Sequence, residues 1–144
     1  MFPMNIYLAD DDLDDVEVFL TAINEITPES EVTISNDGEE LLQKLEKSTK
    51  LPDVIFLDIN MPRINGFDAL KAIKSVEVFN TIPVVMYSTC SHDLHILTAH
   101  KLGAHLYVVK PSYYSEVREK IEEVLSMDLK SVPVRQDFAD FVLK

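Results

Sequence analysis

Four short apolar runs in this chain each end on a polar residue, and these polar residues are of three chemical kinds: carboxylate, hydroxyl and ammonium. The runs and the residues that follow them are 6–9 before Asp10 and Asp11, 54–57 before Asp58, 84–87 before Ser88, and 106–109 before Lys110. Such runs, rich in β-branched and aromatic residues, predict strands buried on both faces of a parallel sheet. Because parallel strands open their C-terminal ends on one edge, where ligands bind in open α/β sheets, we expect these groups to gather there.

The gathered groups suit the transfer of a phosphoryl group. Asp10 and Asp11 are adjacent acids, and a hard divalent cation such as Mg²⁺ relieves their mutual repulsion. Asp58 is a carboxylate that, beside this cation, can attack phosphorus and form an aspartyl phosphate. Lys110 supplies a second positive contact for the transferring oxygens, and Ser88 can donate a hydrogen bond to one of them.

Three further acids follow this pair along the chain, and we assign them a different role. Asp12, Asp14 and Asp15 stand at the start of a predicted helix. Carboxylates at that place cap exposed backbone N–H groups and interact favourably with the helix dipole. We therefore predict that these three side chains serve the helix and not the cation.

The elements that must position these groups alternate strand and helix five times. The predicted strands are 5–9, 31–35, 53–57, one opening at Pro83, and 105–109, and the predicted helices are 13–26, 39–48, 67–78, 92–102 and 113–127. This alternation with short links predicts a parallel sheet with helices on both faces. The inward stripes are predicted as Val16, Phe19, Leu20 and Ile23, then Leu70, Ile73 and Val76, then Val117, Ile121, Val124 and Leu125.

Composition narrows the class of protein. The chain has 144 residues, which fits one domain, and its 13 basic and 25 acidic residues give a net charge of −12. This acidity argues against nucleic-acid and anionic-lipid binding, which need basic surfaces. One cysteine excludes an intramolecular disulfide. We expect neither a signal peptide nor a membrane span, because no cationic segment followed by an apolar one stands at the start of the sequence and no apolar run reaches membrane-spanning length. Together these features predict a reduced, cytoplasmic setting.

The motifs at the strand ends resemble the receiver domain of bacterial two-component response regulators. The matching residues are Asp10-Asp11, FLDINMPRINGFD at 56–68, MYS at 86–88 and LGAHLYVVKP at 102–111. Each motif alone is weak, but the four in this order at strand ends are specific, and the resemblance covers about residues 4–127. It implies an α/β, flavodoxin-like fold: a doubly wound, five-stranded parallel sheet of strand order 2-1-3-4-5.

The resemblance also implies roles for the acidic residues and their loop. Asp58 would be the phosphoacceptor. Asp11 would bind Mg²⁺ (or Mn²⁺) directly, and Asp10 would act mostly through water. Asn60 would offer its backbone carbonyl to the same cation.

A conformational switch is implied by the same resemblance. Lys110 would pair with the phosphoryl group, aimed by a cis peptide bond to Pro111. Ser88 would move onto a phosphoryl oxygen after phosphorylation, and Tyr107 would swing inward behind it. The signalling surface would then be the fourth helix, fifth strand and fifth helix, about 92–127, which we call the switch face.

The sequence departs from the commonest family pattern just after Ser88. Thr89 stands where the family has Ala or Gly, and a bulkier side chain there is expected to slow phosphoryl entry or the movement of the hydroxyl. Cys90 follows, and with the side chain of Asn60 it is expected to flank the phosphoryl group and set its hydrolysis rate.

We expect a stand-alone response regulator, with a receiver domain at 1–127 and a C-terminal extension at 128–144 that adds no output domain. It would be no enzyme beyond its own phosphorylation and dephosphorylation. The expected partners are a histidine kinase or histidine phosphotransfer protein, a downstream protein target, and a second copy of the chain through the switch face or the extension. No nucleic acid and no membrane are expected among them.

The extension and the histidines leave two further expectations. Apolar residues cluster near the end of the chain, and they predict either a short helix packed on its own domain or a contact for a partner. These residues are Phe138, Phe141, Val142 and Leu143. The histidines at 92, 95, 100 and 105 fit no metal-binding spacing, so we predict that they lie on the surface or on a face that contacts a partner.

Two other classes of protein share parts of this pattern. A phosphohydrolase of the haloacid-dehalogenase kind also uses Asp, Mg²⁺, Ser or Thr, and Lys, but it needs a second acid two residues after its nucleophile, where this chain has Asn60. Such a phosphohydrolase also carries a cap that binds the substrate, and a chain of 144 residues leaves little room for one. A flavodoxin-like cofactor carrier needs a Gly- and hydroxyl-rich phosphate loop after the first strand, where three aspartates here would repel phosphate.

Overall fold

Strands and helices alternate along the chain in a computed structural model that describes residues 3–131 and 137–143. The strands are β1 (Asn5–Ala9), β2 (Glu31–Ser35), β3 (Val54–Leu57), β4 (Val84–Ser88), β5 (Leu106–Val109) and β6 (Val142–Leu143). The helices are α1 (Leu13–Ile26), α2 (Gly38–Lys47), α3 (Gly66–Ser75), α4 (Asp93–Lys101), α5 (Tyr114–Ser126) and α6 (Phe138–Phe141). In these described ranges, no helix has both the length and the apolar character needed to cross a bilayer.

The strands form one parallel sheet in the order β2-β1-β3-β4-β5-β6. The predicted order of the first five strands is therefore confirmed, and β6 is an addition that the sequence did not predict. In register, β1 and β3 run level, with Ala9 beside Leu57, and Ser88 of β4 lies beside Val109 of β5. The residues that follow these strands are thereby brought to the same edge.

The core lies on both faces of the sheet, because alternate strand residues point to opposite sides. Ile6 and Leu8 of β1 face a cluster that contains α1 and α5, whereas Tyr7 and Ala9 face the cluster of α2, α3 and α4. Strands β3, β4 and β5 have almost every side chain buried. This pattern is why their sequences are continuous apolar runs and do not alternate.

Helix starts are fixed by polar side chains that cap exposed backbone N–H groups. Asp12 Oδ1 accepts from Asp14 N at 3.0 Å and from Asp15 N at 3.1 Å at the start of α1. Asp37 and Asn65 cap α2 and α3 in the same way. The capping role predicted for Asp12 is confirmed.

Two of the residues predicted to face the core are exposed. Leu20 is 38% exposed, because the buried face of α1 also includes Ala22 and is centred away from Leu20. Val76 is 41% exposed, because α3 ends at Ser75 and not at residue 78. Val76 has an extended backbone at that point, and its carbonyl accepts from Phe79 N in a turn.

The end of the chain packs against its own domain. Phe141 is fully buried, with its ring 4.8 Å from that of His100 and 6.4 Å from that of Tyr107 between centroids. β6 then adds to the edge of β5, with Val142 paired to Tyr107. Of the two roles predicted for this segment, packing on its own domain is the one that the structure shows.

His105 was predicted to lie on the surface with the other histidines, and this prediction is wrong. The side chain is 4% exposed at the start of β5, and its Nδ1 accepts from Val84 N at 3.4 Å. Burial lowers the pKa of His105 to about 4, and the positive charge of Lys74 contributes to the same shift. Spacing alone did not separate this histidine from the others, because its burial depends on the packing of α3 and β4 around β5.

Phe141→Ala should lower the free energy of unfolding by about 3 kcal/mol, because it removes a fully buried ring and leaves a cavity. Phe138→Ala is the matched control in the same helix; that ring is 42% exposed, so its loss should cost about 1 kcal/mol or less. Urea unfolding of both variants measures the difference. Equal losses would contradict the anchoring role of Phe141.

His105→Gln should reduce the loss of unfolding free energy that accompanies a fall in pH. The unfolded histidine takes a proton near its usual pKa of 6.5, whereas the folded one resists protonation down to about 4. The unfolded state therefore binds more protons in this window, and stability falls as pH falls from 6.5 to 4, by about 3 kcal/mol. Urea unfolding at pH 7 and pH 4.5 tests this, with His92→Gln, an exposed histidine, as the control that keeps the wild-type pH dependence.

Candidate functional site

Backbone hydrogen bonds bring the predicted strand-end residues into one row. Asp58 N donates to Ala9 O at 3.0 Å, which places Asp58 next to Asp10. Lys110 N donates to Ser88 O at 2.8 Å on the neighbouring pair of strands. The parallel register thus carries the side chains of four strands to one edge of the sheet.

Three carboxylates of this row form a group that can hold a cation. Asp10, Asp11 and Asp58 each offer an oxygen, and these oxygens lie within 4.8 Å of one another. Asp10 is fully buried, Asp58 is 7% exposed and Asp11 is exposed. A cluster of carboxylate oxygens open to solvent on one side suits Mg²⁺ or Mn²⁺, which bind a few carboxylates and complete their shells with water. The residues present therefore fit a divalent cation.

The ammonium group of Lys110 lies among carboxylates of this site. Its Nζ is 2.7 Å from Asp10 Oδ2, 2.8 Å from Asp15 Oδ2 and 3.2 Å from Asp58 Oδ2. The Lys110 side chain is only 6% exposed. An ammonium has three N–H donors, so these three contacts use all of them.

Burial and charge act in opposite directions on these groups. Burial raises the pKa of Asp10 to about 6, although hydrogen bonds from Lys110 and from Asp12 N oppose the rise. Burial also disfavours the charged form of Lys110, but its bonds to Asp10 and Asp15 outweigh this and raise the Lys110 pKa above its usual value. Lys110 therefore stays charged, and a bound cation would oppose the effect of burial and favour the ionised form of Asp10.

Asp15 is the site residue that the sequence analysis missed. It was assigned to the helix start, yet its carboxylate contacts Lys110, while capping is done by Asp12. The sequence does carry a signal for this, because a helical side chain leans toward the N-terminus of its helix. For a residue in the first turn of α1, that direction leads back to the edge where β1 ends.

The loop after β3 holds Asp58 closely. Asp58 Oδ1 accepts from Ile59 N at 2.7 Å, which fixes the rotation of the carboxylate. Gly66 N donates to Ile59 O at 2.8 Å, and a Cβ on Gly66 would lie 2.1 Å from Asp58 O. Only glycine allows this approach without a backbone shift. Asn60 lies in the same loop and is exposed, and the binding of a cation by its backbone carbonyl stays a prediction.

Ser88 and Tyr107 are linked through Cys90. Ser88 is fully buried, and its Oγ accepts from Cys90 N at 3.2 Å. The hydroxyl of Tyr107 donates to Cys90 O at 2.6 Å, and its ring is fully buried with Phe141 packed against it. The structure thus shows the inward position of this ring, and its movement on phosphorylation stays a prediction.

The two residues that follow Ser88 lie beside the carboxylate site. Thr89 is exposed, and Cys90 is half-buried with its Sγ 2.7 Å from His95 Nδ1. His95 in turn packs edge-on against Phe67, with ring centroids 5.6 Å apart. The segment after β4 is therefore tied to α4 and to α3, the helix that follows the Asp58 loop.

The bond between Lys110 and Pro111 was predicted to be cis, and this is corrected. The described residues contain no cis peptide bond, so this bond is trans. The trans form is the more stable isomer of a bond to proline by about 0.5–1 kcal/mol. Lys110 reaches its three carboxylates with the bond in that form.

Comparison with known proteins identifies the family. The family model of the response regulator receiver domain matches residues 6–122, and the chain belongs to this family. A similar protein is the chemotaxis protein CheY1 of Helicobacter pylori (strain ATCC 700392 / 26695), 35% identical over 95 residues, which are 66% of this chain and 76% of that protein.

Solved structures agree with the fold. The phosphorylated cyanobacterial phytochrome response regulator RcpA superposes with a TM-score of 0.83 at 26% identity, over 94% of this chain and 100% of that one. The Mn²⁺-bound form of response regulator Rcp1 gives a TM-score of 0.79 over 92% of this chain and 99% of that one; at 23% identity it shows the fold alone.

The protein is therefore a response regulator of two-component signalling with a receiver domain. A receiver domain is a phosphoacceptor switch that interacts with histidine kinases or phosphotransfer proteins. Receiver domains bind a divalent metal at an acidic pocket, and the cluster of Asp10, Asp11 and Asp58 is consistent with such a pocket in this chain.

Proposed function

We propose that the protein accepts a phosphoryl group on Asp58 in a step that needs Mg²⁺ or Mn²⁺. The observation that carries this proposal is the position of Asp58, a carboxylate 7% exposed that shares one cluster with Asp10 and Asp11 and lies 3.2 Å from Lys110 Nζ. Response regulator Rcp1, which shares the fold, has been solved with Mn²⁺ bound, and the carboxylate cluster of this chain offers ligands of the kind that this ion binds. The cation would be held by Asp10, Asp11, Asp58 and the backbone carbonyl of Asn60.

The transfer itself is a displacement at phosphorus. The donor would be a phosphorylated histidine of the kinase or phosphotransfer protein. An oxygen of Asp58 forms the new O–P bond, the bond from phosphorus to the histidine nitrogen breaks, and the electron pair of that bond stays on the nitrogen. A bound cation supplies charge neutralisation at the transferring oxygens. Ile59 N holds the Asp58 carboxylate in a fixed rotation, and Lys110 places a positive charge beside it.

The same site would respond to the new charge. A phosphoryl group adds about −1.5 to −2 charges and strong acceptor oxygens. We propose that Ser88 turns from Cys90 N to a phosphoryl oxygen, and that Tyr107 is stabilised in its inward position through its bond to the Cys90 carbonyl. These bonds join the phosphoryl site to β5 and thus to the switch face.

The signal would leave through protein contacts at this face. We keep the division into a receiver domain at 1–127 and an extension at 128–144 as a proposal, with α6 and β6 of the extension covering the edge of β5. A downstream protein, or a second copy of the chain, would dock beside this segment or displace it. Phosphorylation and dephosphorylation of its own Asp58 would be the only reactions that the protein catalyses, because the second acid of a phosphohydrolase is replaced by Asn60.

Asp58→Asn should abolish phosphorylation, because an amide is no nucleophile toward phosphorus. Wild type incubated with acetyl phosphate and Mg²⁺ should gain the mass of one phosphoryl group, and removal of Mg²⁺ with a chelator should prevent the gain. Asp68→Asn, an exposed acid at the start of α3, is the control that should still be phosphorylated. Intact mass spectrometry reads all four samples, and an adduct on Asp58→Asn, or none on wild type with either acetyl phosphate or a histidine kinase, would contradict the proposal.

A further inference from the structure

The contact between Asp15 and Lys110 joins the first turn of α1 to the site around Asp58. We infer that Asp15 is a positioning residue, which holds the Lys110 ammonium beside Asp58 while the other two partners of that ammonium are engaged elsewhere. The inference rests on the proposed function of Asp58 as the phosphoacceptor. It assigns to Asp15 a part in the transfer that neither its place in α1 nor the residues matched to the family pattern indicate.

The geometry separates Asp15 from the two other partners of Lys110. Asp10 and Asp58 belong to the group of oxygens that can hold a cation, and Asp15 does not. Asp15 reaches the ammonium from the first turn of α1, at 2.8 Å, with its side chain 36% exposed against 6% for Lys110. Its backbone is fixed by the bond from Asp15 N to Asp12 Oδ1 at 3.1 Å.

The three contacts differ in what becomes of them during the transfer. Oxygens of Asp10 and Asp58 would hold the divalent cation, and formation of the O–P bond would change the charge on the Asp58 carboxyl itself. The Asp15 carboxylate takes part in neither event, so its bond to Lys110 persists through both. One donor of the ammonium stays with Asp15, and another becomes free to follow the phosphoryl oxygens.

A fixed partner matters for a lysine more than for most cations. Its ammonium is a compact charge on a flexible four-carbon stem with three rotatable donors, so its position is set only by its partners. Transfer is sensitive to such placement, and misplacing a catalytic charge by about 1 Å can cost up to about 100-fold in rate. Because Lys110 keeps its stem and its 5.3 Å contact with the Tyr87 ring, we expect a smaller loss from removing Asp15 alone, about tenfold.

Asp15→Ala is the direct test, with Asp14→Ala as its matched control. Asp14 lies in the same turn, is exposed, and shares the cap of Asp12, but it makes no contact with Lys110 among those described. With saturating Mg²⁺ and varied acetyl phosphate, Asp15→Ala should lower the maximal phosphorylation rate about tenfold and leave the half-saturating donor concentration unchanged. Asp15→Asn keeps an acceptor oxygen and should fall between Asp15→Ala and wild type, and Asp14→Ala should match wild type.

A double-mutant cycle decides whether the effect passes through the lysine. In a Lys110→Ala background, the further change Asp15→Ala should have no effect on the phosphorylation rate, because no ammonium is left to position. A tenfold loss that persists in that background would overturn the inference. So would a phosphorylation rate for Asp15→Ala at or above that of wild type.

The ammonium itself gives a readout that needs no phosphodonor. The Lys110 ammonium of wild type should show a slowly exchanging ¹⁵N-attached proton resonance, because the group is buried and fully bonded. Asp15→Ala should shift or broaden this resonance, and Asp14→Ala should leave it in place. A resonance unchanged in Asp15→Ala would overturn the inference alone, whereas a wild type that takes no phosphoryl group would overturn the proposed function with the inference built on it.

Discussion

The buried ion cluster around Lys110 is the interaction on which the rest of the site depends. Asp10 is fully buried and Asp58 nearly so, and such acids at one edge are costly unless positive charge offsets them. Lys110 supplies one charge through three short contacts, yet Asp11 brings a further carboxylate to the same place. The remaining negative charge suits this edge to a divalent cation, and a bound cation would in turn permit a phosphate to approach.

The register of the parallel sheet determines which side chains meet in this cluster. The parallel register of β1 and β3 places Asp10 and Asp58 side by side, and the bond from Lys110 N to Ser88 O aligns the other two strands. On β5, the strand that precedes Lys110, Tyr107 is enclosed between the Cys90 carbonyl and the Phe141 ring. The segment 138–143 is thus packed on the strand that would carry the signal outward.

The strand order was implied by the resemblance to receiver domains, whereas the site residues at the strand ends could be predicted from the sequence for a simple reason. Buried strands are apolar runs, so a polar residue at the end of a run stands out, as at Asp10, Asp58 and Lys110. Asp15 was missed because its partner is 95 residues away: the direction of its side chain could be inferred from its place in α1, but the position of Lys110 beside that helix depends on tertiary packing. His105 and β6 were missed for the same kind of reason, since both are determined by long-range packing and not by local pattern. The isomer of the Lys110–Pro111 bond was also beyond local inference, because the two forms differ little in energy.

The most direct test of this account is the response of stability to Mg²⁺ in the absence of any phosphodonor. If the carboxylate cluster needs a cation, Mg²⁺ should raise the free energy of unfolding of wild type along a single-site curve, by about 2.7 kcal/mol at 100 times the dissociation constant. Asp11→Asn, which removes the cluster carboxylate that does not contact Lys110, should weaken this response strongly, and Asp14→Asn should leave it intact. A wild type whose stability does not change with Mg²⁺, or an Asp11→Asn variant that responds as wild type does, would contradict the account.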